Sequence, residues 1–205
     1  MTKPALTVEM SPQQLAAERR LVAQARQDPH AFGKLFDRYY DAIFRYILHR
    51  TANAALAQEL TSDTFYKALD KLWTFRWRGL PFSSWLYRIA SNEVNAHYRR
   101  YRNYHTSSLD DDRDRLADDL SEADRELLAA EALLEEDVFF RELHRQIAAL
   151  KPKYQEVITL RFFENKKLRE IAEILGKSPG TVKSLLHRAL AQLRDRLADK
   201  PEAAS

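Results

Sequence analysis

Side chains suited to contacting nucleic acid are concentrated near the C-terminal end of the chain. Five of them lie within eight residues of one another: Thr181, Lys183, Ser184, His187 and Arg188. Hydrogen-bond donors of this kind suit the phosphates and base edges of a DNA major groove. We therefore interpret these residues as a DNA-contacting surface. The alternative is a helical hairpin in a core, with a basic face that is simply solvated.

Two helices separated by a turn are predicted to position this surface. Gly176 stands where the first helix must end in a left-handed residue. Ser178 is a good N-cap for the second helix, and Pro179 fits its first position because the missing N–H costs nothing there. The predicted inner faces consist of Ile171, Ala172, Leu175, Val182 and Leu186. This pattern is that of a helix-turn-helix.

A second candidate surface lies in the middle of the chain, from Trp73 to Tyr104. This segment holds nine aromatic residues, including all three tryptophans, and six arginines against a single acid, Glu93. Aromatic rings interleaved with arginine suit unpaired bases, since every base offers a π-face and every nucleotide a phosphate. The alternative is that several of the rings are core residues, as we expect for Trp85.

Catalytic and metal sites have little support in the sequence. The six histidines are scattered, cysteine is absent, and the four glycines do not form a phosphate-binding loop. Glu59 and Asp63 lie four residues apart on a predicted helix and could hold a metal, but a solvent-facing or partner-facing pair is favoured. We expect no enzymatic activity and no cofactor. A nuclease would need a compact carboxylate or histidine site.

The elements that carry these residues are predicted to be helices. Apolar residues recur at helical spacing and show no sustained alternation of period two. Helices are predicted over 11–27, from Phe32 to Ile47, from Leu56 to Leu72 with Tyr66 and Leu69 on the apolar face, and over 85–102. Ser83 or Ser84 is expected to cap the last of these. The predicted fold class is all-α.

Charge divides the chain of 205 residues into three parts. Thirteen acidic residues against three arginines give 108–137 a net charge of −10, so the rest of the chain carries +13 of the total of +3. We predict a helical domain over 11–105, an acidic linker over 106–137 and a helix-turn-helix domain over 138–198. The chain lacks a signal-peptide run and the ~20 uncharged apolar residues of a membrane helix. We expect a cytoplasmic protein that is not inserted in the membrane.

Three stretches of sequence resemble bacterial sigma factors of the extracytoplasmic-function group, in the family's order. KLREIAEILGKSPGTVKSLLHRALAQLR and FSSWLYRIASNEVNAHYRRYRN are similar to the family's two DNA-binding regions, and AQELTSDTFYKALDKL is similar to its polymerase-binding helix. The resemblance implies a subunit that directs RNA polymerase to promoters. The implied partners are core RNA polymerase, through its beta-prime clamp helices and beta flap, together with promoter DNA and an anti-sigma factor.

The same resemblance implies roles for individual residues. The residues implied to bind polymerase are Glu59, Asp63, Thr64 and Lys67, with Phe65 as buried support. Those implied to open and hold the minus-ten element are Phe75, Arg76, Trp77, Asn92, Arg99 and Arg100. The surface at 181–188 is implied to read the minus-thirty-five element.

The sequence also departs from the family pattern. Ser62 and Ala96 stand where the family often has amide or acidic side chains, and Leu185 and Leu190 where it often has arginine. These departures bear on the preferred minus-ten base and on the number of phosphate contacts. A rival interpretation is a stand-alone helix-turn-helix regulator, which would have no reason to carry the central aromatic segment and the polymerase-binding helix together.

Overall fold

A computed structural model describes residues 10–106, 143 and 145–198 of the chain. Within these ranges the regular structure is helical and no strand is present, which confirms the all-α prediction. Most of the predicted acidic linker and the ends of the chain lie outside the described residues, so the predicted domain boundaries stay predictions. None of the helices described is long and apolar enough to cross a bilayer.

Four helices form the N-terminal part. They are α1 (Pro12–Ala25), α2 (Pro29–Thr51), α3 (Ala54–Asp70) and α4 (Phe82–Thr106), and a short 3-10 turn (Leu72–Thr74) follows α3. Side chains cap the first three: Ser11 accepts from the Gln14 N–H, Asp28 from that of His30 and Asn53 from that of Leu56. These caps satisfy backbone donors that the first turn of a helix leaves free.

The start of α4 differs from the prediction. The helix begins at Phe82, so Ser83 and Ser84 lie buried inside its first turn and the predicted serine cap is wrong. Instead the Phe82 N–H donates to the carboxylate of Glu18 on α1, at 2.9 Å. A cap supplied by another helix leaves no local sequence signal, which explains the error.

The face of α3 that packs inward also differs from the prediction. Thr64 and Ala68 are fully buried, whereas Tyr66 is 71% and Leu69 48% exposed. Because each residue advances about 100° around a helix, the two sets occupy different faces. Thr64 is tolerated inside because its hydroxyl donates to the Leu60 carbonyl at 2.6 Å.

The C-terminal part contains the predicted helix-turn-helix. Here α5 (Pro152–Ile158) runs into a π-helical turn (Thr159–Phe163), and α6 (Leu168–Leu175) and α7 (Pro179–Ala198) follow. Gly176 ends α6 with φ of +62°, and the Ser178 hydroxyl accepts from the Thr181 N–H at 3.1 Å. Both turn signals are confirmed. Of the predicted inner face, Leu175 is only half-buried, and Ile174 is buried beside Ile171.

The two helical parts pack against each other. Arg50 on α2 has a fully buried side chain that lies 3.4 Å from a carboxylate oxygen of Glu156 on α5. Asn95 on α4 joins this pair, accepting from Arg50 at 3.2 Å and donating to Glu156 at 3.2 Å. Burial also raises the pKa of Tyr46 to about 12. Its protonated hydroxyl accepts from Arg50 at 3.0 Å, and a buried charge is thus surrounded by polar partners.

Candidate nucleic-acid interface

The exposed face of α7 carries all five side chains singled out from the sequence. Their side chains are exposed: Thr181, Lys183, Ser184, His187 and Arg188. The opposite face of α7 holds the helix in place through Val182, Leu186 and Ala189, which are buried. The Thr181 hydroxyl is shared with the N-cap, because it lies 2.9 Å from the hydroxyl of Ser178. The remaining donors lie exposed on one side of α7: Lys183, Ser184, His187 and Arg188.

The loop from Phe75 to Pro81 carries the second candidate surface. Arg76 and Arg78 are exposed there, and Trp77 is half-buried. With Phe75, Trp85 and Arg88, both arginines line a cavity of about 180 Å³ beside the loop. Cations and rings of this kind suit a base together with its phosphate, although the carboxylate-bearing Glu173 of α6 also lines the cavity.

Phe75 does not belong to the exposed surface. It is only 7% exposed, and its ring centroid lies 5.3 Å from that of Phe82 and 5.2 Å from that of Trp85. Its ring is packed among other rings and also lines the cavity, so the expected contact of Phe75 with a base stays a prediction. An apolar residue in an arginine-rich loop can serve either role, and sequence does not distinguish them.

A third group of candidates lies on α4. Asn92, Arg99 and Arg100 are exposed as the interpretation requires. At helical spacing, Asn92 and Arg99 share a stripe of α4 with Arg88 and Asn95. Arg88 and Asn95 contact the C-terminal part, so the proposed DNA surface adjoins the interface between the two parts.

The candidate protein-binding residues of α3 are only partly available. Glu59 is exposed, and Asp63 and Lys67 are half-buried. The Lys67 ammonium group pairs with Glu93 on α4. Thr64 is fully buried with its hydroxyl bound within the helix, so its expected role as a contact residue is corrected. Phe65 is buried as predicted.

An apolar stripe beside these charges was missed by the sequence interpretation. Tyr66 and Leu69 lie on α3 and Trp73 on the 3-10 turn that follows it, and Trp73 is 74% exposed. Large exposed apolar side chains in a row are typical of a protein-binding surface. The sequence gives no signal for this surface, because it turns outward only through the burial of Thr64 and Ala68.

Carboxylates and backbone carbonyls of the C-terminal part contact α4 and the loop before it. The Tyr87 hydroxyl donates to Glu164, and the Arg88 guanidinium donates to the carbonyls of Glu173 and Ile174. The Glu173 carboxylate also lies 3.7 Å from Arg88 and 3.9 Å from Arg78. Burial raises the pKa of Glu164, although the Tyr87 hydroxyl and nearby cations oppose the shift.

Among the residues that the structure describes, no group of three or more histidines and carboxylates is arranged to hold a metal ion. Glu59 and Asp63 remain one turn apart on α3, where the acidic pair borders the apolar stripe.

Fold and surfaces together define a helical nucleic-acid-binding protein with a helix-turn-helix at its C-terminal end. Residues 35–104 match the model of Sigma-70 region 2, and residues 140–193 match that of Sigma-70 region 4. The chain belongs to the RNA polymerase sigma factors, in the extracytoplasmic-function group.

Individual relatives agree with this assignment. The chain is 35% identical over 171 residues to the ECF RNA polymerase sigma factor BldN of Streptomyces coelicolor, covering 82% of this chain and 61% of BldN. It is 32% identical to the RNA polymerase sigma factor YlaC of Bacillus subtilis, covering 82% of this chain and 92% of YlaC. The solved structure of CnrH in complex with the cytosolic domain of CnrY is similar with a TM-score of 0.64 and 26% identity, covering 90% and 99% of the two chains.

Proposed function

We propose that this protein binds core RNA polymerase and directs it to promoters, reading the minus-thirty-five element with α7 and opening the minus-ten element with α4 and the loop before it. The observation that carries the proposal is the presence, in one chain, of two differently built candidate surfaces. A regular helix with exposed donors suits duplex DNA. A loop of arginines and tryptophan beside a cavity suits unpaired bases.

Strand opening explains why the second surface is needed. Duplex stacking is worth on average about 1.4 kcal/mol per base-pair step. A protein that holds the freed bases offsets part of this cost only where the sequence supplies bases that fit. Exposed cations for this task come from Arg76 and Arg78, and a half-buried ring comes from Trp77. On the neighbouring helix, Asn92 provides a hydrogen-bonding amide.

The polymerase surface is assigned to the exposed face of α3. Glu59, Asp63 and Lys67 supply charge, and the apolar stripe of Tyr66, Leu69 and Trp73 supplies apolar area. A mixture of apolar and charged groups is usual at protein interfaces. The proposed partners are the beta-prime clamp helices and beta flap of the polymerase, and an anti-sigma factor, as CnrH is bound by CnrY.

Promoter binding requires the two helical parts to separate. The two elements lie at different positions along the duplex, which extends by about 3.4 Å per base pair. In the structure Arg88 of α4 contacts the end of α6, the helix directly before α7. Both surfaces therefore cannot reach their elements until the contacts of Arg50 and Arg88 with the C-terminal part are released.

Polymerase binding is tested first. The purified chain should co-elute with bacterial core RNA polymerase, and Asp63→Arg should abolish the association by reversing charge on the α3 face. Asp41→Arg, which makes the same change on the exposed side of α2, is the matched control and should bind normally. Duplex DNA binding by the chain alone, without any polymerase binding, would instead indicate the stand-alone regulator.

The division of labour between the surfaces is tested with DNA. Lys183→Ala and Arg188→Ala should weaken binding to duplex DNA and lower its salt dependence, because fewer counterions are released. Trp77→Ala and Asn92→Ala should spare duplex binding and impair strand opening by the holoenzyme. Equal losses of both activities in all four variants would contradict the proposal.

A further inference from the structure

The loop between α3 and α4 does not determine its own shape. Among the described residues, no backbone–backbone hydrogen bond joins positions within 76–80. The turns at either end are closed by Phe75, which donates to the Leu72 carbonyl at 3.2 Å, and Ser84, which donates to that of Pro81 at 3.0 Å. The rings of Phe75 and Trp77 pack together, with centroids 6.1 Å apart, and further contacts come from other parts of the molecule.

The first of these contacts is at the beginning of the loop. Arg26, the residue that ends α1, donates from Nη2 to the Phe75 carbonyl at 2.6 Å. The contact joins residues 49 positions apart in the chain. A charged donor makes a stronger hydrogen bond than a neutral one. Arg26 is itself exposed, so the contact is not a by-product of core packing.

The second contact is at the end of the loop. Glu18, also on α1, is fully buried, and one of its carboxylate oxygens accepts the Phe82 N–H at 2.9 Å. The other oxygen accepts from the Tyr39 hydroxyl on α2. Phe82 opens α4, where free N–H groups and the helix dipole favour a negative charge. The carboxylate therefore fixes where α4 begins and where the loop must end.

The two contacts act on one structure. The rings of Phe75 and Phe82 lie 5.3 Å apart between centroids, so the loop leaves and returns at nearly the same place. Both ends are held by α1, from positions two turns apart on that helix. The residues between them, Arg76, Trp77 and Arg78, are the ones that the proposed function assigns to the opened DNA strand.

We propose that Glu18 and Arg26 are positioning residues: by holding both ends of the loop, they set the place of Arg76, Trp77 and Arg78 and thereby the base selectivity of strand opening. The inference rests on the proposed function and extends it to α1, which precedes residues 35–104 matched by the region 2 model. Glu18 is fully buried and is not expected to touch DNA or polymerase. Arg26 lines a cavity with Arg76 and Trp77, so the Glu18 variants decide between positioning and direct contact with the strand.

Arg26→Ala is the main test, because an exposed residue can be removed without opening the core. Arg20→Ala is its matched control, since Arg20 is an exposed arginine of the same helix whose side chain bonds locally, to the Ala16 carbonyl. Holoenzyme made with each variant is offered a pool of single-stranded DNA randomised over its central positions. A second pool of randomised duplex DNA reports on α7.

The wild-type holoenzyme is expected to enrich particular bases from the single-stranded pool. Arg26→Ala should reduce that enrichment by about tenfold, the order that one well-placed contact to a base contributes, while duplex selection and polymerase binding stay unchanged. Arg20→Ala should behave as the wild type. Enrichment by Arg26→Ala equal to the wild type would overturn the positioning role and leave the proposed function intact.

Variants of Glu18 provide an independent test of the positioning role. Glu18→Gln keeps the size and one acceptor oxygen, which can still accept the Phe82 N–H while the Tyr39 hydroxyl turns to accept from the new amide. It should therefore retain most of the base selectivity, whereas Glu18→Ala should lose it as Arg26→Ala does. Circular dichroism and polymerase binding report whether Glu18→Ala is folded. Loss of selectivity in Glu18→Ala together with normal selectivity in Arg26→Ala would contradict a shared role. Failure of the wild type to select single-stranded DNA would instead overturn the proposed function, and the inference with it.

Discussion

The two candidate DNA surfaces are built in opposite ways. The row of donors on α7 lies on a regular helix that carries its own N-cap, Ser178, and its own buried face. The loop from Phe75 to Pro81 has a ring cluster at its base but no backbone hydrogen bond within 76–80, and its two ends are held by Glu18 and Arg26 of a distant helix. The first surface is specified locally, whereas the second depends in addition on tertiary contacts. Substitutions should therefore act locally in α7 and at a distance in the loop.

The largest expected effect is on the loop side of this comparison. Phe75→Ala should lower the free energy of unfolding of the N-terminal part by about 3–5 kcal/mol, because a buried ring is lost from a packed cluster. His187→Ala on the exposed face of α7 should change stability by less than about 0.5 kcal/mol. Tryptophan fluorescence follows the unfolding of the N-terminal part selectively, since Trp73, Trp77 and Trp85 all lie there. A small effect of Phe75→Ala would show that the ring is not core.

The next effect concerns the interface that holds the two surfaces together. Glu156→Ala leaves the buried guanidinium of Arg50 without a charged partner, at a cost of about 3–5 kcal/mol if the interface stays closed. We expect the two parts to separate instead, which small-angle X-ray scattering would detect as a larger radius of gyration. Asp195→Ala, at an exposed carboxylate of α7, is the control. An unchanged radius in Glu156→Ala would contradict the expectation.

A smaller effect tests the local construction of α7. Ser178→Ala removes the N-cap and should lower the stability of the C-terminal part by about 1 kcal/mol. Ser184→Ala, an exposed serine of the same helix without a cap role, should be neutral. Thermal unfolding followed by circular dichroism compares the two variants. Base selection on single-stranded DNA should not respond to either change.

The smallest effect is a pH dependence of the interface. Burial raises the pKa of Glu164 above its usual 4.5, so closing the interface takes up protons. This residue's contribution is therefore most favourable below pH 4.5 and declines as the pH rises through the raised pKa. Glu164→Gln should remove that part of the pH dependence, measured by energy transfer between dyes on the two parts. An identical pH profile in wild type and variant would exclude the effect.

The same contrast explains what could be predicted from the sequence. The helix-turn-helix was predicted correctly because Gly176, Ser178 and Pro179 act on their own neighbours. The helix that begins at Phe82 was misplaced because its cap, Glu18, lies 64 residues away in the chain. Local signals can be read in order along a chain, whereas a tertiary cap cannot.

The misassigned side chains have a related cause. Phe75 and Thr64 were given exposed roles, but each is buried once neighbouring helices are in place. Tyr66 and Leu69 were placed inside because they are apolar, although the inner face of α3 is completed by Thr64 and Ala68. Residue type predicts burial only on average. The packing of the two parts through Arg50 and Glu156 left no pattern that a single sequence displays.

The guanidinium of Arg88 has one more consequence. It donates to the Ile174 carbonyl, an acceptor in the last turn of α6, and shares the Glu173 carbonyl with the Gly176 N–H. The turn of the helix-turn-helix follows directly, and the Lys177 N–H donates back to Ala172 at 2.9 Å. Amide hydrogen exchange at this turn should therefore quicken when the parts separate. Exchange of the Lys177 amide would therefore report when α4 is released from α6, although Arg88 itself bonds to neither Lys177 nor Ala172.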